Sequence, residues 1–160
     1  MRSEPHNFRL LRQALDLAVE LGDFTSAETW ENQLRAVEGQ DGVLWRFARS
    51  QRLLAQFDEY NDQRLGEIDG LLSHVRRIRP EWAPAVTLQA RVAERRGNVK
   101  LAIEHYRRAL DLGERQPAVY ERVITLLFNE QRLAEAQELL SAIGPSTPFG
   151  ERLEPLGILL

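Results

Sequence analysis

The chain has 160 residues, of which 43% are hydrophobic and 28% are charged, a composition typical of a globular protein with one hydrophobic core. It contains no cysteine, which excludes disulfides, thiolate nucleophiles and cysteine metal sites. No apolar run approaches the roughly 18 residues of a transmembrane helix, and the N-terminal MRSEPHNFRL lacks the apolar core of a signal peptide. These features predict a cytoplasmic protein, or a piece of a larger protein whose targeting segment lies elsewhere.

The net charge of −3 conceals an uneven distribution along the chain. Basic residues outnumber acidic ones in residues 71–116, whereas acidic residues outnumber basic ones on both sides of this segment. Lys100 is the only lysine, so the positive charge comes almost entirely from arginine. Such a preference for arginine over lysine is typical of a protein encoded by a GC-rich bacterial genome.

The spacing of apolar residues predicts α-helices along most of the chain. No segment alternates between apolar and polar residues over the length of a strand. Glycine-containing polar segments separate the first helices, Pro80 ends the fourth, and Pro84 lies in the first turn of the fifth, where proline is tolerated. In chain order, the predicted helices cover about 10–18, 24–34, 43–57, 65–78, 84–96, 99–112, 117–130 and 133–143.

The predicted helix pairs repeat with a fixed period. A shift of 34 residues places Ala102 on Ala136 in one direction and on Ile68 in the other. A shift of 75 residues, which is 34 plus 41, places Ala27 on Ala102. The second pair therefore carries about seven extra residues, which we place around 56–63.

The unit at 83–116 has the residue pattern of a known helical repeat, and LGDFTSA at 21–27 is a second strong match. This pattern resembles the tetratricopeptide repeat (TPR) family. The bulky Ile68 and Ile124 and the turn residue Gln131 depart from it, since small residues and glycine are usual there. The matching residues of the third unit are Ala90, Gly97, Asn98, Ala102, Tyr106, Ala109, Leu110 and Leu112.

The resemblance covers residues 8–144 and implies an all-α fold, a right-handed superhelix of stacked helical hairpins. It implies one solenoid domain. Residues 145–160 then form a tail, either a capping helix or the start of a truncated next unit. The implied units are residues 8–41, 42–82, 83–116 and 117–144.

In this family the first helix of each unit lines a concave groove, and partner choice depends on its outward residues. The resemblance therefore implies partner-binding side chains at fixed positions of these helices. Arg91, Arg95 and Arg122 are candidates for binding an acidic segment or a C-terminal carboxylate, and Phe128 for an apolar anchor. The alternative is a solvated helix face with local salt bridges. The candidate residues are Arg12, Arg46, Thr87, Arg91, Arg95, Arg122, Thr125, Phe128 and Asn129, with Asp16, Glu20, Arg49, Ser50, Glu94 and Glu121 beside them.

Neither a catalytic nor a metal-binding motif is present in the sequence. His6, His74 and His105 are far apart without ligand spacing, and no HExxH, GxSxG, phosphate-binding or dinucleotide-binding motif occurs. We therefore predict no enzymatic activity, no metal and no cofactor. We assign the three tryptophans to packing.

The sequence favours a non-catalytic protein–protein interaction scaffold that binds a peptide or protein segment in its groove. The alternative is a structural, self-associating spacer of a larger multidomain bacterial protein, with a homodimer formed through the ends of the array. A third reading is a nucleic-acid patch built from the basic stretches 74–79 and 106–110 together with Arg95 and Arg96. The acidic net charge and the scarcity of aromatic residues there argue against it.

Overall fold

The computed structural model describes residues 5–56 and 62–143, except for the side chains of residues 5–9, 12, 62 and 143. The regular structure of this part of the chain consists of eight α-helices, which confirms the all-α prediction. The predicted extra residues around 56–63 and the tail at 145–160 fall largely or wholly outside the described residues. The helices are α1 (Pro5–Glu20), α2 (Phe24–Glu38), α3 (Leu44–Ala55), α4 (Asp62–Ile78), α5 (Ala83–Arg95), α6 (Val99–Asp111), α7 (Pro117–Asn129) and α8 (Leu133–Ile143).

The chain packs as two compact units, residues 1–88 and 89–160, with the boundary inside α5. In unit 1, α1 packs on α2, α2 on α3 and α3 on α4. Helix α1 also packs on α3, as the first helices of two adjacent hairpins would. In unit 2, α6 packs on α7 and α7 on α8.

Each unit has its own apolar core. In unit 2, Ala90 and Ala102 are fully buried in a cluster with Ile103, Val123 and Leu127. The small alanines allow α5 and α6 to approach closely, and the larger aliphatic residues fill the remaining space. In unit 1, a cluster joins α1, α2 and α3 through Leu11, Leu15, Leu34, Trp45 and Ala48.

The hairpin turns after α1, α5 and α7 share one backbone geometry. Gly97 has φ 71°, its N–H bonds the carbonyl of Glu94, and the next N–H bonds the carbonyl of Ala93. These two bonds form a Schellman motif, which requires a left-handed residue and therefore favours glycine. The first turn repeats this geometry at Gly22, and the last has Gln131 there with φ 59°. The turn that departs from the repeat pattern in sequence thus keeps the backbone of the pattern.

Helix α3 is capped by a side chain from the preceding helix. The Glu38 carboxylate accepts the N–H groups of Leu44 at 3.1 Å and Trp45 at 2.9 Å, which have no partner within the first turn of a helix. Gly42 is required for this approach, because a Cβ atom there would lie 2.4 Å from Cβ of Glu38. The cap fixes how the chain passes from α2 to α3.

Unit 1 also contains a buried ion pair. Glu31 of α2 is 3% exposed and Arg52 of α3 is 8% exposed, and Nε and Nη2 of the arginine lie 2.9 and 2.8 Å from Oε2 of Glu31. Arg49 adds a longer contact to Glu31 at 3.8 Å and pairs with Glu67 of α4 at 2.7 Å. The network links α2, α3 and α4. Removing one partner of this buried pair would strongly destabilise the fold, because the other charge would remain buried without compensation.

The turn geometry leads to opposite expectations for two substitutions. Gln131→Gly relieves a left-handed strain, so it should raise the free energy of unfolding by up to about 1 kcal/mol. Gly97→Ala introduces that strain and should lower the free energy of unfolding by about 1–2 kcal/mol. The strain is the whole effect, because an added Cβ meets no other atom within 4 Å. Urea denaturation of both variants measures the two changes. A loss of stability in Gln131→Gly would contradict the assignment of strain to that turn.

The buried carboxyl of Glu31 predicts an unusual pH dependence. Burial raises its pKa above the ordinary value of 4.5, although the arginines Arg52 and Arg49 oppose this rise. The folded state then holds the proton more tightly than the unfolded chain, so this group's contribution to stability falls as the pH rises above 4.5 through the folded pKa. Glu31→Gln lacks this titration.

We therefore expect the unfolding free energy of the wild type, relative to Glu31→Gln, to be larger near about pH 4 than at neutral pH. Urea denaturation of both proteins at the two pH values tests this, because the other carboxyl groups are common to both. A difference that is constant or grows toward neutral pH would show that Arg52 outweighs burial.

Candidate partner-binding surface

The outer side of α5 and α7 in unit 2 brings most of the predicted binding residues together. The inner sides of the two helices are buried at positions such as Ala90, Val123 and Leu127, so residues three or four places apart form a second, outward row. We call this row the unit 2 surface. Its members are Arg91, Glu94, Arg95, Glu121, Arg122, Thr125, Phe128 and Asn129.

Glu94 is the bonding centre of this surface. Its Oε1 accepts a hydrogen bond from the hydroxyl of Tyr106 on α6. Its Oε2 accepts a hydrogen bond from Nε of Arg122 on α7 and forms an ion pair with Nη2 of the same residue. The Glu94 side chain is 12% exposed, whereas that of Arg122 is 53% exposed. Burial, followed by Glu94, raises the pKa of the Tyr106 phenol, and Glu94 raises the pKa of Arg122. Both shifts favour the protonated form, so at neutral pH the Tyr106 phenol is neutral and Arg122 is positively charged.

For Arg122 the alternative reading of the sequence, a local salt bridge to Glu94, is the one the structure supports. Periodicity correctly places Glu94 and Arg122 on the same side of consecutive first helices. The hydrogen bond from Tyr106 to Glu94 was not predicted from the sequence. Its position in the repeat indicates a core residue, and its ring is indeed 2% exposed, but no sequence signal indicates where its hydroxyl points.

Arg91 differs from Arg122 in having no counter-charge of its own. It is exposed and makes no hydrogen bond or ion pair within the described part of the chain. It nevertheless lowers the pKa of the Tyr106 phenol, as Arg122 does, so both guanidinium groups lie near that hydroxyl. Arg95 lies one turn further along α5 and is also exposed.

The candidate side chains of α7 offer few free polar groups to a partner. The Thr125 hydroxyl donates to the carbonyl of Glu121 at 2.7 Å, so its proton is used within its own helix. Phe128 is half-buried, and Asn129 is exposed at the end of α7. The unit 2 surface thus offers three arginines, of which Arg122 is paired with Glu94 and Arg91 has no ion pair among the described residues, and a partly exposed aromatic ring.

Several candidates in unit 1 have internal roles. The Arg46 guanidinium donates to the carbonyl of Gly42 at 2.6 Å and lies 4.4 Å above the ring of Trp45. The prediction that Ser50 faces a partner is wrong, because the residue is fully buried and its hydroxyl donates to the carbonyl of Arg46 at 2.8 Å. Its short side chain lies against the core where the repeat alignment is least regular.

The remaining unit 1 candidates do not form a common surface. Arg49 is engaged by Glu31 and Glu67. Thr87 is half-buried, and its hydroxyl oxygen is buried without a hydrogen-bond partner among the described residues. The side chain of Arg12 lies outside the described residues, so its role stays a prediction.

Comparison with known proteins identifies the fold. No family model matches the sequence, and no curated protein matches it. Among solved structures, the chain is similar to TTC0263, a thermophilic TPR protein in Thermus thermophilus, with a TM-score of 0.75 and 19% sequence identity. The match covers 94% of this chain and 80% of that one. The chain has a TPR fold. The resemblance noted in the sequence is therefore confirmed at the level of fold.

The TPR arrangement also accounts for the tryptophans, which take part in packing. Trp45 is 6% exposed and its indole N–H donates to the carbonyl of Gly39 at 3.0 Å. The rings of Phe47 and Trp82 lie 4.6 Å apart. Trp30 packs against the core of unit 1.

Several side chains of the basic stretches are engaged within the fold, whereas Arg76 and Arg108 are exposed. In 106–110, Tyr106 is buried and cannot stack on a base, and Arg107 pairs with Glu135 and Glu138. In 74–79, His74 lies 3.3 Å from the carbonyl of Asp41 and contacts Arg77. Among the described residues, no group of three His, Asp or Glu side chains could hold a metal ion, and no helix is long and apolar enough to cross a membrane.

Proposed function

We propose that the chain is a non-catalytic scaffold that binds a protein segment on the outer side of its first helices. The repeat units belong to this proposal, with bounds at 8–41, 42–82, 83–116 and 117–144. The observation that carries it is the exposure of Arg91, without a counter-charge among the described residues, on the same surface as the half-buried ring of Phe128. An acidic segment with an apolar side chain would complement both groups.

Physical chemistry supports this choice of partner. Arginine binds carboxylates through two parallel hydrogen bonds, and an aromatic ring in a partly desolvated position is a common anchor of interfaces. Both groups project from helices packed on a rigid core, so little order has to be gained on binding. Sites of this kind reach their specificity with few charged contacts.

Charge reversal at Arg91 tests the proposal. A short labelled peptide of alternating Glu and Leu serves as the probe, and fluorescence anisotropy measures its affinity. Arg91→Glu should weaken binding by about tenfold or more, because it replaces an attraction with a repulsion. The matched control is Arg108→Glu, which makes the same charge change on the exposed side of α6. An equal loss in both variants would show that only net charge matters and would refute a site at Arg91.

A second candidate function, self-association, is favoured by an apolar stripe along α1 and the residue that follows it. Leu10, Leu17 and Leu21 are 63%, 54% and 74% exposed and lie seven and four residues apart, which places them along one side of a helix. Leucines exposed in a row are typical of a surface that another chain covers. The stripe lies about a third of a turn around the helix from the buried Leu11 and Leu15, and its leucines are exposed, so the core of unit 1 does not account for it.

Light scattering over a concentration series tests self-association. A dimer that forms through the stripe should dissociate in Leu17→Ser, whose polar hydroxyl weakens the apolar contact, and persist in Leu101→Ser, a control on α6 at a residue that is 38% exposed. A mass that stays near 18.4 kDa at every concentration would exclude this function.

A further inference from the structure

The bonding of Arg122 on the unit 2 surface limits what this side chain can do. Nε and Nη2 of the guanidinium both point to Oε2 of Glu94. Nη1 has no hydrogen bond within the described part of the chain, and the side chain is 53% exposed. Arg122 therefore faces solvent as one half of an ion pair, whereas Arg91 faces it as a single charge.

Tyr106 prevents Glu94 from moving away from this pair. The phenol hydroxyl holds Oε1 of Glu94, and the tyrosine ring is 2% exposed in the core. The carboxylate is thus held from both sides, with only 12% of its side chain exposed. A ligand that approaches Arg122 consequently meets a fixed negative charge bonded to that same guanidinium.

We infer that Glu94 is a specificity-determining residue, which neutralises Arg122 and so shifts the recognition of an acidic segment from α7 to α5, where Arg91 is exposed. The inference rests on the proposed function of this surface. A ligand carboxylate next to Arg122 would be attracted by the guanidinium and repelled by Glu94, so the two contributions largely cancel. The surface therefore favours a segment with one well-placed acidic residue over a densely acidic one.

For the affinity of an acidic ligand, the repulsion by the Glu94 charge matters more than the ordering of the Arg122 side chain by Glu94. Removing one like charge a few ångströms from a ligand carboxylate should improve affinity by about fivefold even at the dielectric constant of water, and by more at a partly buried site. Without Glu94, the Arg122 side chain is free to move and must be ordered when a ligand binds. For a single exposed side chain, this ordering lowers the affinity by a smaller factor than the charge effect raises it. Neutralising Glu94 should therefore strengthen the binding of a densely acidic ligand.

Three variants separate charge from structure, with the Glu–Leu peptide and a peptide of consecutive glutamates as probes. Glu94→Gln keeps the shape of the side chain and an acceptor for Tyr106 but removes the charge. Tyr106→Phe removes the hydroxyl that holds Glu94 and keeps the charge. Glu104→Gln, on an exposed position of α6, makes the same change in net charge away from the surface.

We expect Glu94→Gln to bind the polyglutamate probe at least about fivefold more tightly than the wild type, with a steeper dependence on salt. The gain for the Glu–Leu probe should be smaller. Tyr106→Phe and Glu104→Gln should show no comparable gain. Circular dichroism of each variant confirms that the helices remain.

Three outcomes would overturn the inference. They are an unchanged or weakened affinity in Glu94→Gln, an equal gain in Tyr106→Phe, which would indicate loosening of the structure, and an equal gain in Glu104→Gln, which would indicate net charge. Failure of the proposed function looks different, since Arg91→Glu would then leave binding of the Glu–Leu probe unaffected. Loss of binding in Arg91→Glu together with no gain in Glu94→Gln would remove this inference alone.

Discussion

One fully buried position in the second helix of each hairpin supports the rest of the fold. It is occupied by Ala27, Ile68, Ala102 and Ala136, and each of these residues is 0% exposed. A hairpin of two helices has an apolar side that it cannot cover alone, so it is stable only when another hairpin covers it. The fully buried position marks that contact, and the turns and caps determine how the chain reaches it.

The periodicity of the sequence was sufficient to predict the helices, their pairing and the TPR fold, because burial of one helix side is repeated at every unit. It could not predict the partners of long polar side chains. Arg122 and Arg91 occupy outward positions in consecutive first helices, yet Arg122 is paired with Glu94 and Arg91 has no ion pair among the described residues. A guanidinium reaches several ångströms in many directions, so the side of a helix does not determine what it touches. Ser50 was predicted wrongly because a short polar side chain was taken to face solvent, whereas its hydroxyl is satisfied by the carbonyl of Arg46 within its own helix.

The polar networks of the two units arise at the same repeat position. A shift of 75 residues places Glu31 on Tyr106, where the other repeats favour a large apolar residue. Each of the two polar groups is satisfied through an arginine of the next first helix, directly by Arg52 in unit 1 and through Glu94 by Arg122 in unit 2. The consequences differ, because the first pair is buried and constrains packing. The second has an arginine exposed to solvent, so it adds little stability and mainly shapes the charge of the surface.

The charge that this protein shows to a partner is accordingly smaller than its arginine content suggests. The middle of the chain is basic by count, but Arg107 and Arg122 in that region and just beyond it are bound to carboxylates of neighbouring helices. Paired charges attract counter-ions and polyanions weakly, which explains why a basic segment need not indicate nucleic acid. On the unit 2 surface, Arg122 is paired with Glu94, whereas Arg91 has no ion pair among the described residues. If this surface binds an acidic segment as proposed, recognition depends on where each carboxylate of the partner lies, and less on how many the partner carries.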